Sequence, residues 1–279
     1  MVFIITALLV EATPIIQYFK LKKDMNIHAY QVYRNSEMAL IISGVGKIKS
    51  AMAAMYLCSV YHADKQDILM NIGFCGTNNI KYQPGDMLII NKVTDMDTGY
   101  DYYPDIYYSA GIPQENIRCY STPVLSKDHT NEKMIVCDME SAGIMEAAKK
   151  ITYAHNVIIL KIISDYLTPE NLDKGLLQNY IRKQLPKIED IIHEVKQMNR
   201  SLNEISLKDE KEALDALSEK LKFSESMKQM LLKKIKKAKL QGLNPLNILE
   251  SSMNMEVNSK TEGKKIFEQI SKKFEEMSI

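Results

Sequence analysis

MIVCDMESAGIMEAAKKITYAHNVIILKIISDYL, residues Met134 to Leu167, reads as strand, helix, strand. A short apolar run gives way to an acidic turn at Asp138 and Glu140, then to a helix of about three turns. A second apolar run, Val157 to Ile163, ends in Ser164 and Asp165. Both runs are β-branched and bounded by polar residues, so they read as buried parallel strands joined by a crossover helix. Each carboxylate stands where a strand ends. Ligands of open α/β sheets collect beyond the carboxyl ends of the strands, which places Met139, Glu140, Ser164 and Asp165 around one pocket.

Outward from this stretch the same grammar repeats. Val2–Leu8 reads as a strand that enters a helix, Glu11–Lys20, without a spacer. Ile27–Arg34 and Glu37–Ser43 read as a hairpin about Asn35-Ser36. SGVGK then opens a long Ala- and Met-rich helix, Lys47–His62. Its glycines do not make a phosphate loop, because Ile41 and Ile48 stand where that pattern needs glycine and Ser or Thr. Asp67–Ile72 is a buried strand running into GFCGTNN, whose glycines and asparagines suit either a plain turn or a loop bringing backbone amides toward a ligand. Met87–Val93 and Arg118–Leu125 are further strands. Between them DMDTGYDYYPDIYY, Asp95–Tyr108, is an aromatic and acidic loop, either a plain surface loop or the cover of a ligand or subunit contact. Asn171–Asn199 is a helical pattern broken near Pro186 that closes this α/β part.

Beyond Asn199 the β-branched runs stop. Leu, Lys, Glu and Met recur at helical spacing, giving helices over Leu207–Leu221, Glu225–Leu240, from Asn244-Pro245, and over Lys264–Met277. The expected division is 1–199, an α/β domain, and 200–279, an all-α module. From Lys196 to Ile279 there are 17 Lys plus Arg against 13 Asp plus Glu. KQMLLKKIKKAK, Lys228–Lys239, is a basic amphipathic helix that suits a solvated face or an acidic partner, nucleic acid or membrane surface, and it names no partner by itself.

Composition narrows the class. Across 279 residues the chain is 46% hydrophobic and 25% charged with a formal net charge of +1, so no global charge argues for nucleic acid or membrane. Cys58, Cys75, Cys119 and Cys137 lack Cys-x-x-Cys spacing and read as reduced core thiols rather than disulfides or a metal site. No apolar run reaches about 18 residues and the start lacks a basic leader, so the expectation is a soluble cytoplasmic protein that needs no metal or cofactor.

Taken singly, Glu11, Glu140 and Asp165 have plain explanations as helix starts and caps. Three carboxylates at the ends of different strands suit cleavage of a glycosidic bond, in which one protonates the leaving group, one activates water and one holds sugar hydroxyls. The order VEATP, SGVGK, NIGFCG, CDMESAGI and IISD resembles the nucleoside phosphorylase superfamily, most nearly its methylthioadenosine/S-adenosylhomocysteine nucleosidase branch, over about Met1–Asn199. The resemblance implies a central mixed sheet flanked by helices, a purine nucleoside or 5′-thio derivative as small-molecule partner, and a homodimer. It implies that Glu11 activates water, that Met139 and Glu140 hold the ribose, and that Asp165, oriented by Ser164, protonates the departing purine. Phe74 stands where the nucleosidases have serine, and Lys161 where they have arginine before the Ser-Asp pair; with Asp138 and Gly73 these complete the expected substrate-binding set. The segment between Leu125 and Met134 is shorter than its nucleosidase counterpart, leaving Tyr100, Tyr102 or Tyr103 to stack on the base. Competing readings are a phosphorylase and a non-catalytic nucleoside-binding or interaction protein.

Overall fold

A computed structural model describes residues 1–108, 111–125, 134–168, 172–203, 207–240, 243–255, 257 and 259–277. The chain divides into two compact units, Met1–Gln197 and Met198–Ile279.

The first unit is a mixed sheet flanked by helices, laid down in chain order as β1 (Val2–Thr6), α1 (Leu9–Tyr18), β2 (Lys22–Lys23), β3 (Gln31–Arg34), β4 (Met38–Ile42), α2 (Lys47–Val60), β5 (Ile68–Thr77), β6 (Met87–Asp95), β7 (Asp101–Tyr102), β8 (Gln114–Cys119), β9 (Val136–Asp138), α3 (Ser141–Ile151), β10 (Val157–Asp165) and most of α4 (Lys174–Asn203), whose last turns belong to the second unit. The expected hairpin forms: β3 and β4 pair antiparallel about Asn35, whose carboxamide accepts the Glu37 and Met38 amides. β1 lies parallel between β4 and β5.

Three expectations are corrected. GFCGT is strand, not loop: β5 continues to Thr77, because its second half still has partners, β10 on one edge and β9 on the other. The strand expected at Arg118–Leu125 begins earlier and ends at Cys119, since Gln114–Cys119 is the stretch in register with Ile89–Asp95 of β6. The strands of the opening stretch are not a parallel pair. β10 runs parallel to β5 while β9 runs antiparallel to it, and β5 separates them. Asp138 and Asp165 still converge, because both strands end beside one residue: Gly76 pairs with Asp165 across one edge and with Cys137 across the other. With β10 also bonded to β6, β6 to β8 and β8 to β9, five strands close into a ring at this end of the sheet.

β5 and β10 are buried almost throughout, as near-continuous apolar runs in the middle of a two-sided sheet require. α4 runs unbroken past Pro186. Proline removes one helical hydrogen bond; burial of Leu177, Ile181, Leu185, Ile188, Ile192 and Val195 along one face outweighs it.

The second unit contains α5 (Lys208–Lys220), α6 (Glu225–Leu240), α7 (Leu246–Ser252) and α8 (Lys260–Met277). Its own core holds Leu214, Leu217, Leu221, Leu231, Ile235, Leu249, Phe267, Ile270 and Phe274. The basic stripe of α6 is partly spoken for, since Lys228 pairs with Asp215 and Lys239 with Glu210 of α5. Among the described residues no helix is long and apolar enough to cross a membrane.

Candidate active site

Glu11 comes into place through the direct entry of α1 from β1. As the third residue of the helix it reaches back, so that its Oε2 accepts the Ala7 and Leu8 amides at 2.7 and 2.8 Å. Across the sheet the Phe74 amide donates to Oε1 at 3.0 Å. Burial pushes the Glu11 pKa up; the Phe74 and Leu8 amides, the Lys161 charge and the Ala7 amide oppose it without cancelling it. A Cβ on Gly73 would stand 3.0 Å from Oε1. Gly73 therefore makes room for Glu11.

Glu140 precedes α3 and points back toward the start of α2, where the Gly46 amide donates to its Oε1 at 3.0 Å. Gly46 has φ 114°, a conformation that only glycine adopts cheaply. Burial pushes Glu140 up, Lys161 pulls it down, Asp138 pushes up again, and the carboxyl settles at about 7.

Lys161 is 1% exposed in the middle of β10, with its Nζ 2.8 Å from Asp138 Oδ2 and 4.0 Å from Glu140 Oε2. Burial works against its charge, but Asp138, Glu140 and Glu11 hold the proton and the net shift is upward. Asp138 accepts this ammonium and the Ser141 amide and hydroxyl, the last two at 2.9 and 2.7 Å. It caps α3 and neutralises a buried cation.

Asp165 closes β10. Its Oδ1 accepts the Thr168 amide at 2.7 Å, and its Oδ2 meets the Ser164 hydroxyl, which also lies 3.2 Å from the Cys75 carbonyl.

A cavity of about 290 Å³ opens onto these groups. Glu11, Phe74, Asp138, Met139, Glu140, Ser164 and Asp165 line it, so seven of the expected site residues come together. Gly73 and Lys161 are not in its wall but behind it, acting on Glu11, Asp138 and Glu140. Tyr100, Tyr102 and Tyr103 line a different cavity, with Lys149 Nζ 4.3 and 4.5 Å from the Tyr100 and Tyr102 rings. The base-stacking role expected for them does not fit this placement: β7 and its flanks set them beside α3, and none of the three lines the cavity of the acids. The Leu125–Met134 segment lies outside the described residues. Sequence reasoning missed the apolar walls, Val45, Leu167 and Leu177, and the Gly46 amide. Only Gly46 had a signal, the glycine pair of SGVGK. All four cysteines are free and buried. Among the described residues no group of three or more His, Cys, Asp or Glu side chains is set to hold a metal ion.

Residues 2–118 match the family model of the phosphorylase superfamily. The fold is shared with 5′-methylthioadenosine/S-adenosylhomocysteine nucleosidase from Helicobacter pylori in complex with butyl-thio-DADMe-Immucillin-A, at 16% identity over 69% of this chain and 97% of that one, TM-score 0.56. The same nucleosidase from S. pneumoniae with the transition-state inhibitor MT-ImmA gives 18% identity over 70% and 98%, TM-score 0.57. Futalosine hydrolase of Helicobacter pylori gives 16% over 69% and 97%, TM-score 0.56. No curated relative matches in sequence. The chain carries a nucleoside phosphorylase-like fold, similar to that of the nucleosidases, with added C-terminal helices.

Proposed function

We propose that the first unit, as a self-standing domain of about residues 1–199, hydrolyses the N-glycosidic bond of a purine nucleoside or 5′-thio-purine nucleoside. The observation that carries this reading is the meeting of Glu11, Glu140 and Asp165, from three different elements, on one apolar-walled cavity. The two oxygens of a carboxylate offer about four acceptor sites. Three backbone amides occupy Glu11, leaving one site on Oε1 to take a proton from water. Its raised proton affinity suits that role. Asp165 gives a proton to a ring nitrogen of the base as the C1′–N bond breaks, and the bonding pair leaves with the base. The water oxygen bonds to C1′ and its proton passes to Glu11. Glu140, held by Gly46, accepts the ribose hydroxyls, while Met139 and Phe74 pack on the sugar.

Water rather than phosphate is the acceptor in this reading. Asn71, at a position where phosphorylases place an arginine, is buried with its Nδ2 committed to the Ile5 carbonyl at 3.1 Å, and Phe74 offers only its ring and an amide already bound to Glu11. Glu11 itself would repel a dianion. The chain works in the cytoplasm, where buried reduced thiols persist. It works as a homodimer packed through the exposed apolar face of α2 at Ile48, Met52 and Met55.

The test is a panel of adenosine, inosine, methylthioadenosine and S-adenosylhomocysteine, assayed for free base with and without millimolar phosphate. Free ribose or 5-thioribose supports hydrolysis. Ribose 1-phosphate would mean a phosphorylase, and binding without turnover a non-catalytic nucleoside binder. Equilibrium sedimentation of wild type and Ile48→Glu tests the dimer, which the variant should lose.

A further inference from the structure

Among the described residues, four that are not glycine have a left-handed backbone: Lys20, His62, Leu167 and Lys222. Three are exposed polar residues just beyond the ends of α1, α2 and α5, where such a conformation commonly stops a helix. Leu167 is different. It has φ 59°, is 2% exposed, and follows a strand at the wall of the cavity. A γ-branched side chain is disfavoured there, so surrounding contacts must hold it. They are on hand: Leu167 packs with Ile135 and Cys137, backed by Tyr120 and Val124. Its Cδ2 lies 2.9 Å from where a Cβ on residue 76 would stand, so Gly76 is what admits it. One residue earlier, the Tyr166 hydroxyl donates to the Tyr82 carbonyl at 2.8 Å and pins the turn to the other side.

The product of this turn is a single contact. With Leu167 left-handed, the chain doubles back and the Thr168 amide reaches Asp165 Oδ1 at 2.7 Å. An oxygen that accepts a backbone N–H is a poor place for a proton, so the proton of the neutral acid belongs on Oδ2. The Ser164 hydroxyl donates to a lone pair of the same oxygen, which leaves Oδ2–H directed away from Ser164.

We propose that Leu167 is a positioning residue: wedged against Gly76, it holds the turn that assigns the transferable proton of Asp165 to Oδ2 and aims it into the cavity. The inference rests on the nucleosidase reading, in which Asp165 is the general acid. Leu167 has no proton to give and acts only through Asp165.

The test compares two leaving groups. A purine nucleoside needs a proton on its departing base, whereas p-nitrophenyl β-D-ribofuranoside releases a stable phenolate unaided. Asp165→Asn sets the limit of the pattern, losing the first activity and sparing the second. Leu167→Ala should lose tenfold or more in kcat on the purine nucleoside and stay within about threefold on the nitrophenyl riboside, a fraction of the ~10²–10⁴ that general acid catalysis contributes. Gly76→Ala, which evicts Leu167 from the other side, should give the same selective loss, and Leu167→Met should restore it. Should Leu167→Ala not melt cooperatively, Leu167→Val, which shortens the wedge and leaves a smaller void, takes its place. An equal fall on both substrates, or no fall on either, overturns the role of Leu167 and leaves the nucleosidase reading standing. A wild-type chain that cleaves neither substrate overturns both.

Discussion

Lys161 in the first unit and Lys228 in the second each meet an aspartate at 2.8 Å, Asp138 and Asp215. The side chains of the first pair are 1% and 0% exposed, those of the second 31% and 57%. Bond length says nothing of this difference; surroundings decide it. Around Lys161 water is excluded, so each charge must be answered by another: Asp138 answers Lys161, and Glu140 and Glu11 are left with shifted proton affinities at the cavity. Around Lys228 water and salt answer both charges, and the pair only lies along a helix-helix seam. Buried ion pairs here build a chemical environment, and exposed ones decorate a bundle.

The sharpest break in this comparison is at the acid. Asp165→Asn preserves shape and removes the proton, so turnover of a purine nucleoside should fall by about 10² to 10⁴-fold with an unchanged melting curve. Unaltered kcat would take Asp165 out of the reaction. Next is the buried cation. Lys161→Met leaves Asp138 uncompensated, and urea denaturation should show a loss of about 3–5 kcal/mol, relieved in part by adding Asp138→Asn. A loss below about 1 kcal/mol would mean that water reaches the pair.

The third test reads Glu140 through pH. Its carboxyl titrates at about 7 in the folded protein against an ordinary 4.5, so the folded state binds the proton more tightly. The stability this contributes is complete below pH 4.5 and lost as pH rises through 7, on the order of 3 kcal/mol. Burial shifts Glu11 the same way and adds to the slope. Glu140→Gln should therefore flatten the fall in stability between pH 5 and pH 8; an unchanged slope would show that Glu140 titrates normally.

Two smaller effects concern the helical unit. A chain ending at residue 199 should melt cooperatively and keep activity within a few-fold, since every residue assigned a part in the chemistry precedes it. Insolubility at each end point tried would argue against an independent domain. Lys228→Ala should leave the melting temperature unchanged at 0.15 M salt, because solvent already screens its pair with Asp215. A clear drop would show that the exposed pair behaves like the buried one.

The sequence alone determined the elements and the identities of the acids. Hydrophobic period distinguished β1, β4, β6 and β10 from α1, α2 and the C-terminal helices, and the strand-end positions of Glu11, Glu140 and Asp165 marked a candidate site. The tertiary structure decided direction, burial and wall. A strand's period of two is the same in both directions, so nothing in VCD told that β9 runs against β5. The GFCGT stretch looked like a loop because glycine is a weak strand former; two partner strands supply the hydrogen bonds that override this preference. Lys161 looked like a ligand contact because sequence shows a charge but not which side of a wall it occupies. Leu177 and Leu167 looked like any core leucines. What brings them to the cavity is the docking of α4 and a left-handed turn, both set by contacts between residues far apart in the chain, which local periodicity does not encode.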